Sequence, residues 1–181
     1  MGCGKSSVGR KLSQLLCCPF MDLDQVIEER EGRTIPEIFS QDGEPEFRRI
    51  ELEALKHIVG ERPSLVLALG GGAVMTAECA ETVHSDTICI YLKASVDTLM
   101  EHLSGQTDNR PLLSQKHSLN EISTRHCEES EGRRGNLELE TRIKELMAIR
   151  SATYENTAHI IIDIDGKSIE AIASEIISRL G

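Results

Sequence analysis

The sequence predicts an α/β fold with a parallel sheet flanked by helices, and three observations carry that prediction. Short β-branched runs at residues 64–69, 87–92 and 159–164 are apolar on successive residues, the pattern of strands covered on both faces. Amphipathic helical stripes lie between these runs. Neither an internal repeat nor an interdomain linker breaks the order, so the 181 residues read as one domain.

Taken in chain order, a helix is expected over 5–16, carrying Val8 and Leu12, followed by a weaker strand at 19–23. A long helix over 44–59 sets Phe47, Ile50, Ala54, Leu55 and Ile58 on one stripe. The strand at 64–69 comes next, then the strand at 87–92 and a helix over 96–103. Residues 104–136 are polar and charged with few apolar positions, which reads as a long mobile insertion. Beyond it, Leu139, Ile143, Leu146 and Met147 stand at helical spacing within a helix expected over 137–154. The strand at 159–164 and a helix over 169–180, with Ile169, Ile172, Ile176 and Leu180 inward, complete the pattern.

Composition narrows the function. Hydrophobic residues make up 39% and charged residues 28%, enough for a core in a single globular chain. Twenty Lys and Arg against thirty Asp and Glu give a formal net charge of -10, which disfavours nucleic acid and anionic membranes as partners. Three Phe, two Tyr and no Trp leave little surface for base stacking, so a small polar substrate fits better. The six cysteines lack CxxC spacing and read as reduced thiols in a soluble, cytoplasmic protein, with Cys89 a small buried hydrophobe. The six His are scattered without ligand spacing, so no metal site is expected on them.

The chemistry is concentrated in a few segments. Gly2, Cys3, Gly4, Lys5, Ser6 and Ser7 read as the end of a phosphate-binding loop of pattern GxxxxGK[ST] opening onto a helix. Such a loop turns backbone N–H groups toward phosphate oxygens, with Lys5 on the β- and γ-phosphates and Ser6 on Mg²⁺. Counting back from Gly4 puts the pattern's first Gly two places before Met1, and the strand that normally precedes the loop is outside the chain as well. In a sheet of this type that leaves neighbouring strands with unpaired backbone groups and an open groove, and the expectation is a gene product that begins upstream or a damaged copy. Asp22 and Asp24 end the weak strand two residues apart and are expected on one side of an extended segment. One carboxylate suits Mg²⁺ and the other a proton from an attacking hydroxyl. Arg48 and Arg49 are about 100° apart on their helix, so only one faces the site, ready for a carboxylate, while the surface alternative is an ion pair of Arg48 with Glu44. Gly70, Gly71 and Gly72 follow a strand directly and let backbone approach a ligand. Arg110 precedes a proline in the insertion, and Arg150 stands near the end of the following helix as a second carboxylate clamp.

Taken together, these segments resemble shikimate kinases over nearly the entire chain. The residues that carry the resemblance are GKSSVGRKL from Gly4, the Asp22–Asp24 pair, GRTIPEIF at 32–39, FRRIE within 43–51, LGGGAV at 69–74, RPLL at 110–113, and Arg150 followed by Tyr154. The resemblance implies a three-layer, nucleoside-monophosphate-kinase-like P-loop fold with a five-stranded parallel sheet, a substrate-binding region at about 24–60 and a lid at about 104–136. It implies ATP-dependent phosphorylation of the 3-hydroxyl of shikimate, in chorismate and aromatic amino-acid biosynthesis, by a monomer whose partner is the small substrate. It further implies that Lys5 and Ser6 contact phosphate and Mg²⁺, that Asp22 supports Mg²⁺, and that Asp24 is the base. Arg48 and Arg150 would hold the substrate carboxylate, Gly70, Gly71 and Gly72 would approach the substrate, and Arg110 would reach the nucleotide phosphates. The lid is longer than is usual for the family, and Ala152 stands where a proline is frequent. Two alternatives remain open: a kinase of another small acid such as gluconate, and a non-catalytic remnant.

Overall fold

The computed structural model describes residues 2–61, 64–104 and 128–181, with residues 104 and 128–136 described as backbone only. The elements run α1 (Lys5–Leu15), β1 (Phe20–Asp22), α2 (Leu23–Glu31), α3 (Ile35–Gln41), α4 (Gly43–Glu61), β2 (Val66–Ala68), a 3₁₀ turn at Ala73–Met75, α5 (Ala77–Asp86), β3 (Ile90–Lys93), α6 (Val96–Ser104), α7 (Glu128–Thr157), β4 (Ile160–Asp163) and α8 (Ile169–Leu180). The α/β class holds, and both strand pairs are parallel.

Local chemistry explains the helices that the apolar pattern left unmarked. Asp22 caps α2 by accepting the Asp24 N–H, and Gly32 ends that helix at φ 64°, a left-handed conformation that suits glycine. Thr34 and Glu37 form a reciprocal capping box at the start of α3, with Pro36 in the first turn where its missing N–H costs nothing. The segment around Asp24 is therefore helical, and the extended Asp22–Asp24 arrangement expected from the sequence is corrected. Leu23 and Ile27, both fully buried and four residues apart, anchor α2 to the core in preference to a strand. The insertion also ends earlier than expected, because the backbone is helical from Glu128 onward.

The sheet departs from the five parallel strands implied by resemblance. Among the described residues β1 pairs only with β2, and β3 only with β4. The pairs divide between two apolar clusters, with Val66 of β2 reaching into the cluster of β3 and β4. Met21, Leu65 and Leu67 pack with Leu23, Ile27, Phe47, Leu55 and Val83, whereas Leu92 and Ile162 pack with Val8, Leu12, Leu103, Ile143 and Ile176. A cavity of about 800 Å³ lies between β2 and β3, lined by α1 and α8 residues such as Leu12 and Ile176 and by α4 and α5 residues such as Leu55 and Val83. The strands are shorter than their apolar runs because only one edge of each is paired. Cys89, expected to be buried, is half-exposed at the same cavity.

Backbone direction follows from the ladders. Val66 donates to the Pro19 carbonyl (2.9 Å) and Lys93 accepts from Ile164 (2.9 Å), so alternate residues on β2 and β3 face their partners. Leu67, Ile90 and Leu92 therefore turn their N–H and C=O groups into the cavity, where no described strand meets them. No helix among the described residues is long and apolar enough to cross a membrane.

Hydrogen exchange read residue by residue tests the split sheet. The amides of Leu67, Ile90 and Leu92 should exchange faster than those of Tyr91 and Ile162, which face a partner strand. Equal protection across β3 would contradict the split.

Candidate functional site

The loop before α1 is built from two left-handed glycines, Gly2 at φ 71° and Gly4 at φ 73°. A Cβ on Gly2 would sit 2.9 Å from Leu103 Cγ, so both the backbone angle and the space require glycine there. His102 on α6 donates from Nδ1 to the Gly2 carbonyl at 2.8 Å and pins the loop, and Cys3 beside it is buried. Gly4 caps α1 without a side-chain hydrogen bond, which leaves the first-turn N–H groups of Lys5, Ser6 and Ser7 without partners among the described residues. Lys5 and Ser6 are half-buried and Ser7 is exposed.

Ser6 on α1 donates to Asp22 Oδ2 at 2.8 Å, while Asp22 Oδ1 accepts the Asp24 N–H at 3.2 Å. One carboxylate thus fastens the phosphate-type loop to the start of α2. Asp24 itself faces the triple glycine: a Cβ on Gly70 would lie 2.7 Å from Asp24 Oδ1. Burial pushes the Asp24 carboxyl above its usual range, the Asp22 carboxylate adds to the rise, and Lys5 and Arg48 oppose it. The two carboxylates therefore play unequal parts.

On α4 the neighbours Arg48 and Arg49 separate as the helical geometry requires. Arg49 is exposed and pairs with Glu46 and Glu53. Arg48 turns inward, and a Cβ on Gly72 would meet its Nη2 at 2.6 Å. It also makes the ion pair with Glu44 that the surface alternative foresaw, at 3.1 Å, so the two readings of this residue are compatible. Its stronger anchor is Glu51, 2.7 Å away and only 1% exposed. Burial raises the Glu51 carboxyl, with the Arg48 hydrogen bond pulling in the other direction. Glu51 escaped the sequence reading although a signal was there, since it lies between Phe47 and Ala54 on the inward stripe, where an acid needs a partner.

Arg150 on α7 donates to the Gly71 carbonyl at 3.3 Å, and the Tyr154 hydroxyl donates to the same oxygen. Lys5, Gly70, Gly71, Arg150 and Tyr154 share the lining of a cavity of about 140 Å³. The structure thus brings together Lys5, Ser6, Asp22, Asp24, Arg48, Gly70, Gly71, Gly72 and Arg150. Arg110 lies outside the described residues. The arrangement combines unpartnered N–H donors, an ammonium, a carboxylate of raised proton affinity and two guanidinium groups around flexible backbone. These are parts suited to holding a polyphosphate against a small acid that bears hydroxyls.

A family model described as shikimate kinase matches residues 1–181. The shikimate kinase of Dictyoglomus turgidum is 35% identical over 99% of this chain and 92% of its own length. That of Thermus thermophilus is 36% identical over 99% of this chain and 85% of its own length. Among solved structures, the shikimate kinase of Acinetobacter baumannii in complex with shikimate superposes with a TM-score of 0.82 at 31% identity, covering 99% of this chain and 88% of the other. The enzyme of Bacteroides thetaiotaomicron gives a TM-score of 0.78 at 26% identity, covering 99% and 93%.

The raised proton affinity of Asp24 has a signed consequence for stability. The folded chain binds this proton more tightly than the unfolded chain, so stability is lost as pH rises from the unfolded value through the higher folded one. Asp24→Asn removes that loss and should raise Tm at pH 7, with the gain vanishing below about pH 3, where Asp24 is protonated in both states. A lower Tm at pH 7 for the variant, measured by calorimetry, would reverse the assignment of burial as the dominant influence.

Proposed function

The chain belongs to the shikimate kinase family, and on that premise we propose that it transfers the γ-phosphoryl group of ATP to the 3-hydroxyl of shikimate. The observation that carries this reading is the seating of Asp24 against Gly70 and of Arg48 against Gly72, with Lys5 acting electrostatically on Asp24. A phosphoryl acceptor with one carboxylate and several hydroxyls matches that set, since the guanidinium groups take the carboxylate and Asp24 takes a hydroxyl.

In the proposed reaction the N–H groups of the Gly4–Ser7 turn and the Lys5 ammonium hold the terminal phosphates. Arg48 and Arg150 hold the substrate carboxylate, fixing which ring face meets the nucleotide. The hydroxyl oxygen forms a bond to the γ-phosphorus as the bond from that phosphorus to the ADP oxygen breaks, and the hydroxyl proton passes to the Asp24 carboxylate. A base with raised proton affinity is better matched to this transfer than an ordinary aspartate. Most of the rate then comes from positioning and charge neutralisation, as phosphoryl transfer requires. Ser6 Oγ and Asp22 Oδ2, 2.8 Å apart, are hard oxygen donors that fit Mg²⁺, and they would hold it where it neutralises phosphate charge. Residues 24–60 act in this reading as the substrate-binding region of one domain.

Coupled detection of ADP release with Mg-ATP tests the proposal, and release should depend on shikimate. Lys5→Ala should abolish turnover. Arg48→Ala should raise the shikimate KM at least about tenfold, the scale of a lost charge-assisted hydrogen bond. Asp24→Asn should lower kcat by about 10²- to 10⁴-fold. In the wild type, kcat/KM should fall on the acid side at a pH above that of an ordinary aspartate. Shikimate-independent release, or none, would overturn the reading.

A further inference from the structure

Tyr154 is used by none of the roles above, yet it touches the centre of the site. It sits four residues after Arg150 on α7, hence on the same helical face, and its hydroxyl donates to the Gly71 carbonyl that Arg150 also reaches at 3.3 Å. Its ring is half-buried against Tyr91 of β3, with centroids 5.3 Å apart and planes inclined by 45°, so the hydroxyl is delivered by a side chain held along its length.

The consequence lies in the peptide plane that follows. In a trans peptide the C=O of one residue and the N–H of the next point in opposite directions. No cis peptide occurs among the described residues, so holding the Gly71 carbonyl toward α7 aims the Gly72 N–H away from α7. That N–H has no partner among the described residues, while the flanking peptides are already committed, Ala73 to the Gly70 carbonyl and Met75 to the Gly72 carbonyl. Gly72 is also the residue packed on Arg48. As the middle peptide of the turn closed by the Ala73 N–H, and with no Cβ on either side to set its sense, the Gly71–Gly72 plane could otherwise flip over.

We propose that Tyr154 is a positioning residue of the acceptor site: its hydroxyl, sharing the Gly71 carbonyl with Arg150, locks the Gly71–Gly72 peptide so that the Gly72 N–H is presented to the oxygens of the small acid beside Arg48. This deepens the proposed function and rests on it for the identity of that acid. Tyr154 need not touch the substrate. It acts by removing the rotational freedom that three successive glycines confer.

Tyr154→Phe keeps the ring on Tyr91 and deletes only the hydroxyl. Compared with wild type, it should raise the shikimate KM roughly 5- to 15-fold, the scale of one hydrogen bond, and leave the ATP KM within about twofold. The Gly72 amide resonance should shift when shikimate is titrated into wild type, and need correspondingly more shikimate in the variant. An unchanged shikimate KM overturns the inference, as does a parallel rise of both KM values with a fall in Tm, which is the mark of a merely structural tyrosine. If wild type neither turns over nor binds shikimate, the proposed function fails by itself. The latch is then judged without substrate, by the Gly71 carbonyl shift and Gly72 amide exchange: both must change in Tyr154→Phe, and a variant identical to wild type in both overturns it.

Discussion

Close approach of backbone to charged side chains is the constraint on which this site depends. Gly70 admits the Asp24 carboxylate and Gly72 admits the Arg48 guanidinium at distances no Cβ would allow, 2.7 and 2.6 Å. Between them the Gly71 carbonyl takes hydrogen bonds from Arg150 and Tyr154. Three residues without side chains thus gather groups from α2, α4 and α7 into one small volume. The cost is conformational freedom in the loop, and it is offset by anchors on either side, including the 3₁₀ turn closed by the bond from the Ala73 N–H to the Gly70 carbonyl at 3.2 Å.

Charge balance at this loop follows from burial more than from the overall negative charge. Arg48 is held between an exposed acid, Glu44, and a buried one, Glu51. The Glu51 carboxylate has no access to water and must be paired, so it holds Arg48 in place even when no ligand is present. Asp24 stands on the other side of the loop with Lys5 and Arg48 as its opposing charges and Asp22 as a like one. The site therefore contains an acid that is kept paired and an acid that is kept ready for a proton, and the difference lies in their neighbours.

Much of this was legible in the sequence, and the misses have physical reasons. Motif residues with strong local chemistry, namely Lys5 and Ser6 after Gly4, one arginine of the Arg48–Arg49 pair and the triple glycine after an apolar run, come together, and the inward arginine is Arg48, as the resemblance implies. The Asp22–Asp24 segment was misjudged because the cap at Asp22 and the burial of Leu23 and Ile27 outweigh the strand preference of the residues before them. Helix α5 escaped notice because, in Ala77–Asp86, only Cys79, Thr82 and Val83 are buried, too sparse a stripe to mark a period. The length of β2 and β3 was overestimated because an apolar run reports burial, whereas a strand also needs an edge to pair with.

The two halves of the site ride on different cores, and this gives α7 its importance. The loop carrying Lys5 is fixed from the α1 and α6 side, through Val8, Leu103 and the bond from His102 to Gly2. Asp24 and Arg48 are fixed from the other cluster, through Leu23, Ile27, Phe47 and Ile50. Because β2 and β3 do not pair with each other, no sheet hydrogen bond among the described residues ties one pair of strands to the other. What spans them is α1, which packs Gly9 and Arg10 on Phe20 of β1 and draws Val66 of β2 into its cluster, together with the Ser6–Asp22 bond and α7, which buries Ile143 in the first cluster and packs Tyr154 against the second. Phosphoryl transfer tolerates misplacement of its partners by only a fraction of an ångström. The alignment of donor and acceptor is therefore carried by these side-chain contacts, and α7, through Arg150 and Tyr154, reaches the acceptor loop while its own core holds the phosphate loop.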